Sequence, residues 1–227
     1  MSVDVEKSMK INIGCGRAPT EGWRNFDNTP AIKLARSPIK YFLARFFGLL
    51  NTSQRENINW NQKNSIEFAD ATNIPLPNDS VSCIYSSHML EHLSREGGEN
   101  FLKEALRVLK VDGVLRLSVP DLRWYIEMYL KNNDAAQLMK SLQVTTPPVN
   151  TLKQKLRLFM SGYRHHQWMY DGDSLAKLMT EIGFRNVTIL EPGKTLINNP
   201  GALNLSERKG SRVGHETYQS LYIEGFR

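Results

Sequence analysis

Residues 10–16 read Lys-Ile-Asn-Ile-Gly-Cys-Gly, and no other run constrains the fold as tightly. Ile11 and Ile13 are β-branched and open a buried strand. Gly14 and Gly16 end it abruptly. A glycine tolerates positive φ in a tight turn and, lacking a Cβ, lets a ligand lie against the backbone. Open α/β sheets bind ligands just past the carboxyl ends of their strands. Asn12, Gly14, Cys15 and Gly16 therefore mark one edge of a candidate cofactor pocket.

A second short strand, Gly22-Trp23-Arg24-Asn25-Phe26-Asp27, ends in an acid eleven residues after Gly16. Asp27, with Asn28 beside it, is placed to accept hydrogen bonds from a ribose diol. Dinucleotide-binding folds use the same device with the acid about 20 residues on. The shorter spacing leaves little room for a crossover helix. Position 19 is Pro19, where Gly-x-Gly-x-x-Gly would need its third glycine. Both departures count against a nicotinamide dehydrogenase.

Further strands are expected at 65–70, 81–86, 114–119, 184–190 and 220–224. Amphipathic helices fall between them at 101–109, 122–130 and 175–182. The second of these follows Pro120-Asp121. The last is expected to start at an Asp173 cap and stop at Gly183. Such alternation predicts an α/β fold with a mainly parallel sheet. A chain of 227 residues buries one sizeable core, so residues 1–227 are expected to form a single domain. Insertions interrupt it at 28–65 and 131–165. Residues 1–8 are expected to fray, with no signal peptide and no apolar run long enough to span a bilayer.

The first insertion is the more informative. Ala35, Ile39, Phe42, Leu43, Phe46 and Leu50 recur at helical spacing, and Pro38 kinks that helix or begins a second. Between Asn28 and Arg55 stand five cations (Lys33, Arg36, Lys40, Arg45, Arg55) and no acid. Three readings compete: a helix packed on the domain with a solvated basic face, a lid over the substrate, or an interfacial helix touching anionic lipid. The formal charge of +6 favours anionic partners. No Lys/Arg block is long enough for a nucleic-acid arm. Cys15 and Cys83 read as buried free thiols of a reducing, cytoplasmic compartment.

Several of these features together resemble class I S-adenosylmethionine-dependent methyltransferases. They are Asn12–Gly16, Gly22–Asp27, Asp70-Ala71 closing the third strand, and the order apolar strand, His-x-x-Glu-His (88–92), helix, Gly113, strand, Pro120-Asp121. The likeness is nearest to a bacterial subgroup with a shortened first crossover, and it covers most of residues 10–191 and the last strand. It implies a Rossmann-like doubly wound, seven-stranded sheet whose last strand is antiparallel. It also implies S-adenosyl-L-methionine as cofactor, with Asp27 on the ribose and the Asp70 carboxylate and Ala71 N–H on adenine. The loop from Ser86 and Ser87 onward would line the cofactor and acceptor pocket.

Methyl transfer is a displacement in which alignment supplies most of the acceleration. A hydroxyl acceptor, taken to be on a sugar or another small metabolite, also needs a base. His88 is the first candidate, His166 the second, unless it stacks in the core with Trp168. Asp121 either assists or caps the following helix. Two other readings compete with this one. His88, Glu91 and His92 match the H-x-x-E-H pattern of a zinc peptidase class, with His165, His166 or His215 as a third ligand. A non-catalytic nucleotide-binding module is the other. The placement directly after a central strand counts against the zinc reading, and no metal is expected.

Overall fold

The strands of this computed structural model lie in the sheet order β3-β2-β1-β4-β5-β9-β6. It describes residues 8–48, 50, 52–144, 151, 165–198, 200, 203, 212–213, 216–217 and 220–227. The expected frayed N-terminus and much of the 131–165 insertion lie outside the described residues.

Strand β1 (Met9–Ile13) is flanked in parallel by β2 (Arg24–Asp27) and β4 (Val81–Ser87). Strand β3 (Glu67–Phe68) joins β2, and β5 (Leu109–Pro120) joins β4, again in parallel. The order therefore reverses between β1 and β4, the kind of switch point at whose carboxyl edge open α/β sheets bind ligands. Strand β9 (Ser220–Phe226) runs antiparallel between β5 and β6 (Arg185–Leu190). The antiparallel last strand implied by the resemblance is present. A separate two-stranded ribbon pairs β7 (Arg212–Val213) with β8 (Glu216–Thr217).

Residues 14–23, between β1 and β2, form no helix. Side-chain amides hold this connection instead. Asn12 Nδ2 donates to Thr20 Oγ1 (3.1 Å) and to the Ala18 carbonyl (3.3 Å). Asn25 Oδ1 accepts from the Thr20 N–H at 2.7 Å, while its Nδ2 donates to the Thr20 and Trp23 carbonyls.

The 28–65 insertion is three helices: α1 (Pro30–Ala35), α2 (Pro38–Phe46) and α3 (Thr52–Lys63). Proline has no N–H to donate and a φ already suited to a first turn, so Pro38 starts a second helix rather than kinking one. Helix α4 (Arg95–Val108) opens on Ser94, whose hydroxyl accepts from the Gly97 N–H. Phe101, Leu102, Ala105 and Val108 of α4 join Ile11, Ile13, Ile84 and Leu117 in the main core. Helices α5 (Leu122–Asn132) and α6 (Ala135–Leu142) follow β5. Helix α7 (Gly172–Ile182) adds Leu175 and Met179 to the core. The opposite sheet face, at Cys83, Tyr85 and Val114, is covered by Ile197 and Leu203.

Four boundaries differ from the sequence reading. Strand β5 begins at Leu109, not near 114. Its partner register jumps from Val81↔Leu109 to Cys83↔Val114, so the apparent stop at Asp112-Gly113 is a bulge inside the strand. The third strand shrinks to Glu67–Phe68, with Asp70 bridged to Asn73. Residues 135–142, expected to be irregular, are helical. The cap of α7 is Asp171, which accepts from the Ser174 N–H at 2.8 Å; Asp173 sits in the first turn and pairs with Arg123.

Candidate functional site

The carboxyl ends of β1, β2, β3, β4 and β5 share one sheet edge, and the sequence candidates converge there. Gly14 has φ +72 and Gly16 φ +52. A Cβ on Gly14 would stand 2.4 Å from Met89 Cγ. The glycine thus lets the loop after β1 touch the loop after β4. Around Gly16 a Cβ would meet nothing within 4 Å, so this stretch of backbone faces open space. Cys15 is buried, and burial first, then the Asp27 charge, push its thiol up to about 12. It stays a neutral thiol, as does Cys83, pushed to about 12 mainly by burial.

Asp27 ties the edge together. Gly16 N–H donates to its Oδ2 at 3.0 Å, and Thr29 donates its N–H (2.8 Å) and its hydroxyl to Oδ1. Each carboxylate oxygen accepts more than one hydrogen bond, so Oδ2 keeps capacity for a ligand hydroxyl. Asn28 beside it is exposed. Asp70 Oδ1 accepts from the Thr72 N–H and hydroxyl, both at 2.9 Å, an Asx-turn that orients the carboxylate. Ala71 is buried at the core margin. Asn12 is buried, and its side chain is engaged by Thr20 and Ala18 of the 14–23 connection. These groups fit S-adenosylmethionine: an open glycine backbone for the amino-acid end, and one acid each for ribose and adenine amine.

Past β4, Ser86 is buried with its hydroxyl unpartnered among the described residues, and Ser87 is half-buried. His88 takes φ +50, and its N–H donates to the Ser118 carbonyl at 2.8 Å. This left-handed residue turns the chain sharply at the end of β4. Only Leu90–His92 then coils, as one 3-10 turn. The zinc-peptidase pattern needs both histidines one helical turn apart on an α-helix, and this geometry removes that arrangement. His88 Nε2 lies 3.0 Å from Ser220 Oγ, whereas His92 Nδ1 lies 3.2 Å from the His165 carbonyl.

Glu91 is the hub of the cluster. It is 1% exposed, and neither carboxylate oxygen has a hydrogen-bond partner among the described residues. His88 Nδ1 stands 3.3 Å from Oε1, and His166 Nε2 stands 4.0 Å from the same oxygen. His166 is buried and packs edge-to-face on His92, not on Trp168, which is exposed beneath Arg95. Burial holds the His166 imidazole below its ordinary value, against the opposing pull of Glu91. The Tyr170 hydroxyl is buried in the same region and pushed to about 12, chiefly by burial. Glu91, His92 and His166 each bring a potential metal-ligand atom within 4.8 Å of the others. His215 lies outside the described residues.

Asp121 caps α5, accepting from the Arg123 N–H at 3.0 Å, and desolvation raises its carboxyl. Its place in the fold is the capping role. Ser220, Glu91 as an orienting acid, and Tyr170 were not singled out from sequence. Ser220 is 132 residues from His88, and no local pattern joins the two.

A methyltransferase domain family matches residues 14–189, more than half of the chain. No curated protein sequence matches it. Among solved structures, an S-adenosylmethionine-dependent methyltransferase from Methanosarcina mazei aligns with a TM-score of 0.51 and 15% identity, over 96% of this chain and 92% of that one. A second, from Archaeoglobus fulgidus, aligns with a TM-score of 0.50 and 15% identity, over 97% and 87%. At such identities the likeness is one of fold.

Proposed function

The chain belongs to the methyltransferase domain family and is an S-adenosylmethionine-dependent enzyme, and we propose that it methylates a hydroxyl oxygen of a small, anionic or sugar-containing acceptor, with His88 as general base. The observation that carries this reading is the line Glu91 Oε1, His88 Nδ1, His88 Nε2, Ser220 Oγ, with contacts of 3.3 and 3.0 Å. A buried carboxylate beside Nδ1 favours the tautomer protonated there. Nε2 is then the acceptor, and it already faces a hydroxyl.

Asp27 would hold the ribose, Asp70 and the Ala71 N–H the adenine, and the backbone at Gly14 and Gly16 the amino-acid end. When bound, the cofactor supplies a sulfonium methyl activated for displacement, with a neutral thioether as leaving group. His88 takes the acceptor's hydroxyl proton at Nε2 as the new O–C bond forms, and Glu91 steadies the imidazolium. Met89 against Gly14 keeps this base close to the cofactor loop. His166 is 7% exposed behind Glu91, which suits a supporting role there. The basic balance of the chain supports an anionic acceptor.

The test is release of S-adenosylhomocysteine across a panel of sugar phosphates and nucleotide sugars. With an acceptor in hand, His88→Ala lowers turnover by roughly 10²–10⁴-fold and leaves S-adenosylmethionine affinity intact. Near-normal turnover in His88→Ala removes the base assignment. Stoichiometric zinc surviving dialysis, with turnover lost on chelation, replaces it by metal chemistry at Glu91, His92 and His166.

A further inference from the structure

Helix α2 buries none of its residues. Ile39, Phe42, Leu43, Phe46 and the following Phe47 recur at helical spacing on one face, and they are 74, 65, 45, 72 and 66% exposed. Phe42 stacks on Phe46 with centroids 6.2 Å apart, and Phe47 meets Phe46 edge-on at 5.3 Å. The result is a continuous aromatic ridge. Scattered exposed apolar residues need no explanation, whereas a contiguous patch does.

The helix is not simply facing the wrong way. Tyr41 and Ala44, on its other side, pack in a cluster with Ala31, Leu50 and Ile58. The Tyr41 hydroxyl donates to Asn59 Oδ1 on α3 at 3.0 Å. The small side anchors the helix and the large apolar side points away from the domain. Lys40 and Arg45 border the ridge on its two flanks; both are exposed, and neither forms an ion pair among the described residues. Lys33 and Arg36 lie just before α2, and no acid occurs between Asn28 and Arg55. Among the described residues nothing covers the ridge.

An apolar band edged by cations on both sides matches one environment closely: acyl chains at the centre and phosphates at the rim. With nine residues the helix is far too short to cross a bilayer, so it would lie in the plane of the surface. We propose that α2 docks the protein on bilayers containing anionic phospholipid, with Phe42, Phe46 and Phe47 among the acyl chains and Lys40 and Arg45 at the phosphates. This inference does not depend on the identity of the methyl acceptor or on His88.

Flotation of the full chain with vesicles tests it, comparing phosphatidylcholine alone with phosphatidylcholine containing phosphatidylglycerol. The protein should float with the anionic vesicles and be released by about 1 M salt, where charges are screened beyond about 3 Å. Phe42→Gln/Phe46→Gln should abolish flotation. Lys40→Gln/Arg45→Gln should weaken it by roughly fivefold for each cation removed. All four side chains are exposed, so circular dichroism and S-adenosylmethionine binding should match the wild type and separate lost docking from lost folding. Absence of flotation with anionic vesicles overturns the proposal. So does equal flotation on phosphatidylcholine alone, or flotation unchanged in Phe42→Gln/Phe46→Gln. A wild-type dimer that this double variant dissolves, without vesicle binding, assigns the ridge to a second copy of the chain instead.

Discussion

Asp27 closes the glycine turn through the Gly16 N–H and keeps acceptor capacity that the proposed reading gives to the cofactor ribose. Asp27→Ala removes a charge-assisted acceptor worth about 1.5–3 kcal/mol, so S-adenosylmethionine affinity should fall roughly tenfold or more. Calorimetric titration measures it, and an unchanged dissociation constant in a folded variant contradicts the assignment. His166 makes a different prediction. Burial holds its imidazole below the ordinary value in the fold, with Glu91, His92 and His88 around it. In the unfolded chain it takes a proton near the ordinary value of 6.5. The unfolded state therefore binds more protons below that value, and stability is lost as pH falls from about 6.5 toward the depressed native value. Denaturation midpoints at pH 7.5 and 5.5 should draw apart in the wild type and lie closer together in His166→Gln.

Between elements, a buried polar tie joins Arg116 on β5 to Glu224 on β9, directly opposite in register. Both are 0% exposed, and Arg116 Nη1 lies 2.6 Å from Glu224 Oε1. Glu224 also accepts from the Thr195 hydroxyl and the Leu196 N–H, and Arg116 donates to the Lys194 carbonyl. The pair pins the 194–197 segment that covers the far sheet face. Removing one partner strands a buried charge, which costs about 3–5 kcal/mol, whereas an apolar replacement of both is often neutral. Arg116→Met alone should lower the unfolding free energy by about that amount, and Arg116→Met/Glu224→Leu should recover only part of it, because the Leu196 N–H, the Thr195 hydroxyl and the Lys194 carbonyl lose their partners as well. Sequence placed Arg116 within an expected strand but gave no sign of this pair, because 108 residues separate its members. The bulge at 110–113 was equally hidden. Asp112 and Gly113 carry the same turn chemistry whether a strand is starting or merely pausing.

At the scale of the whole molecule, what could be read was what is written locally. Strand, glycine turn and acid lie within a few residues of one another, so the turn geometry at Gly14, Gly16 and Asp27 was legible, and alternation of elements gave the α/β class. The surroundings of His88 were not. Ser220 reaches it only because β9 inserts beside β5, and His166 and Tyr170 reach Glu91 only because residues 165–170 dock on the turn after β4, where the Gln167 N–H donates to the Glu91 carbonyl. The insertion of β9 between β5 and β6 also dictates an order of events as the ribosome makes the chain. When β6 emerges, its only neighbour in the sheet does not yet exist, and β5 still presents an unpaired edge. For as long as the following 29 residues, 191–219, are being translated, the nascent protein carries an open flank able to pair with another chain. The edge closes, and Ser220 arrives at His88, in the same step: the candidate site is completed only when the sheet is sealed.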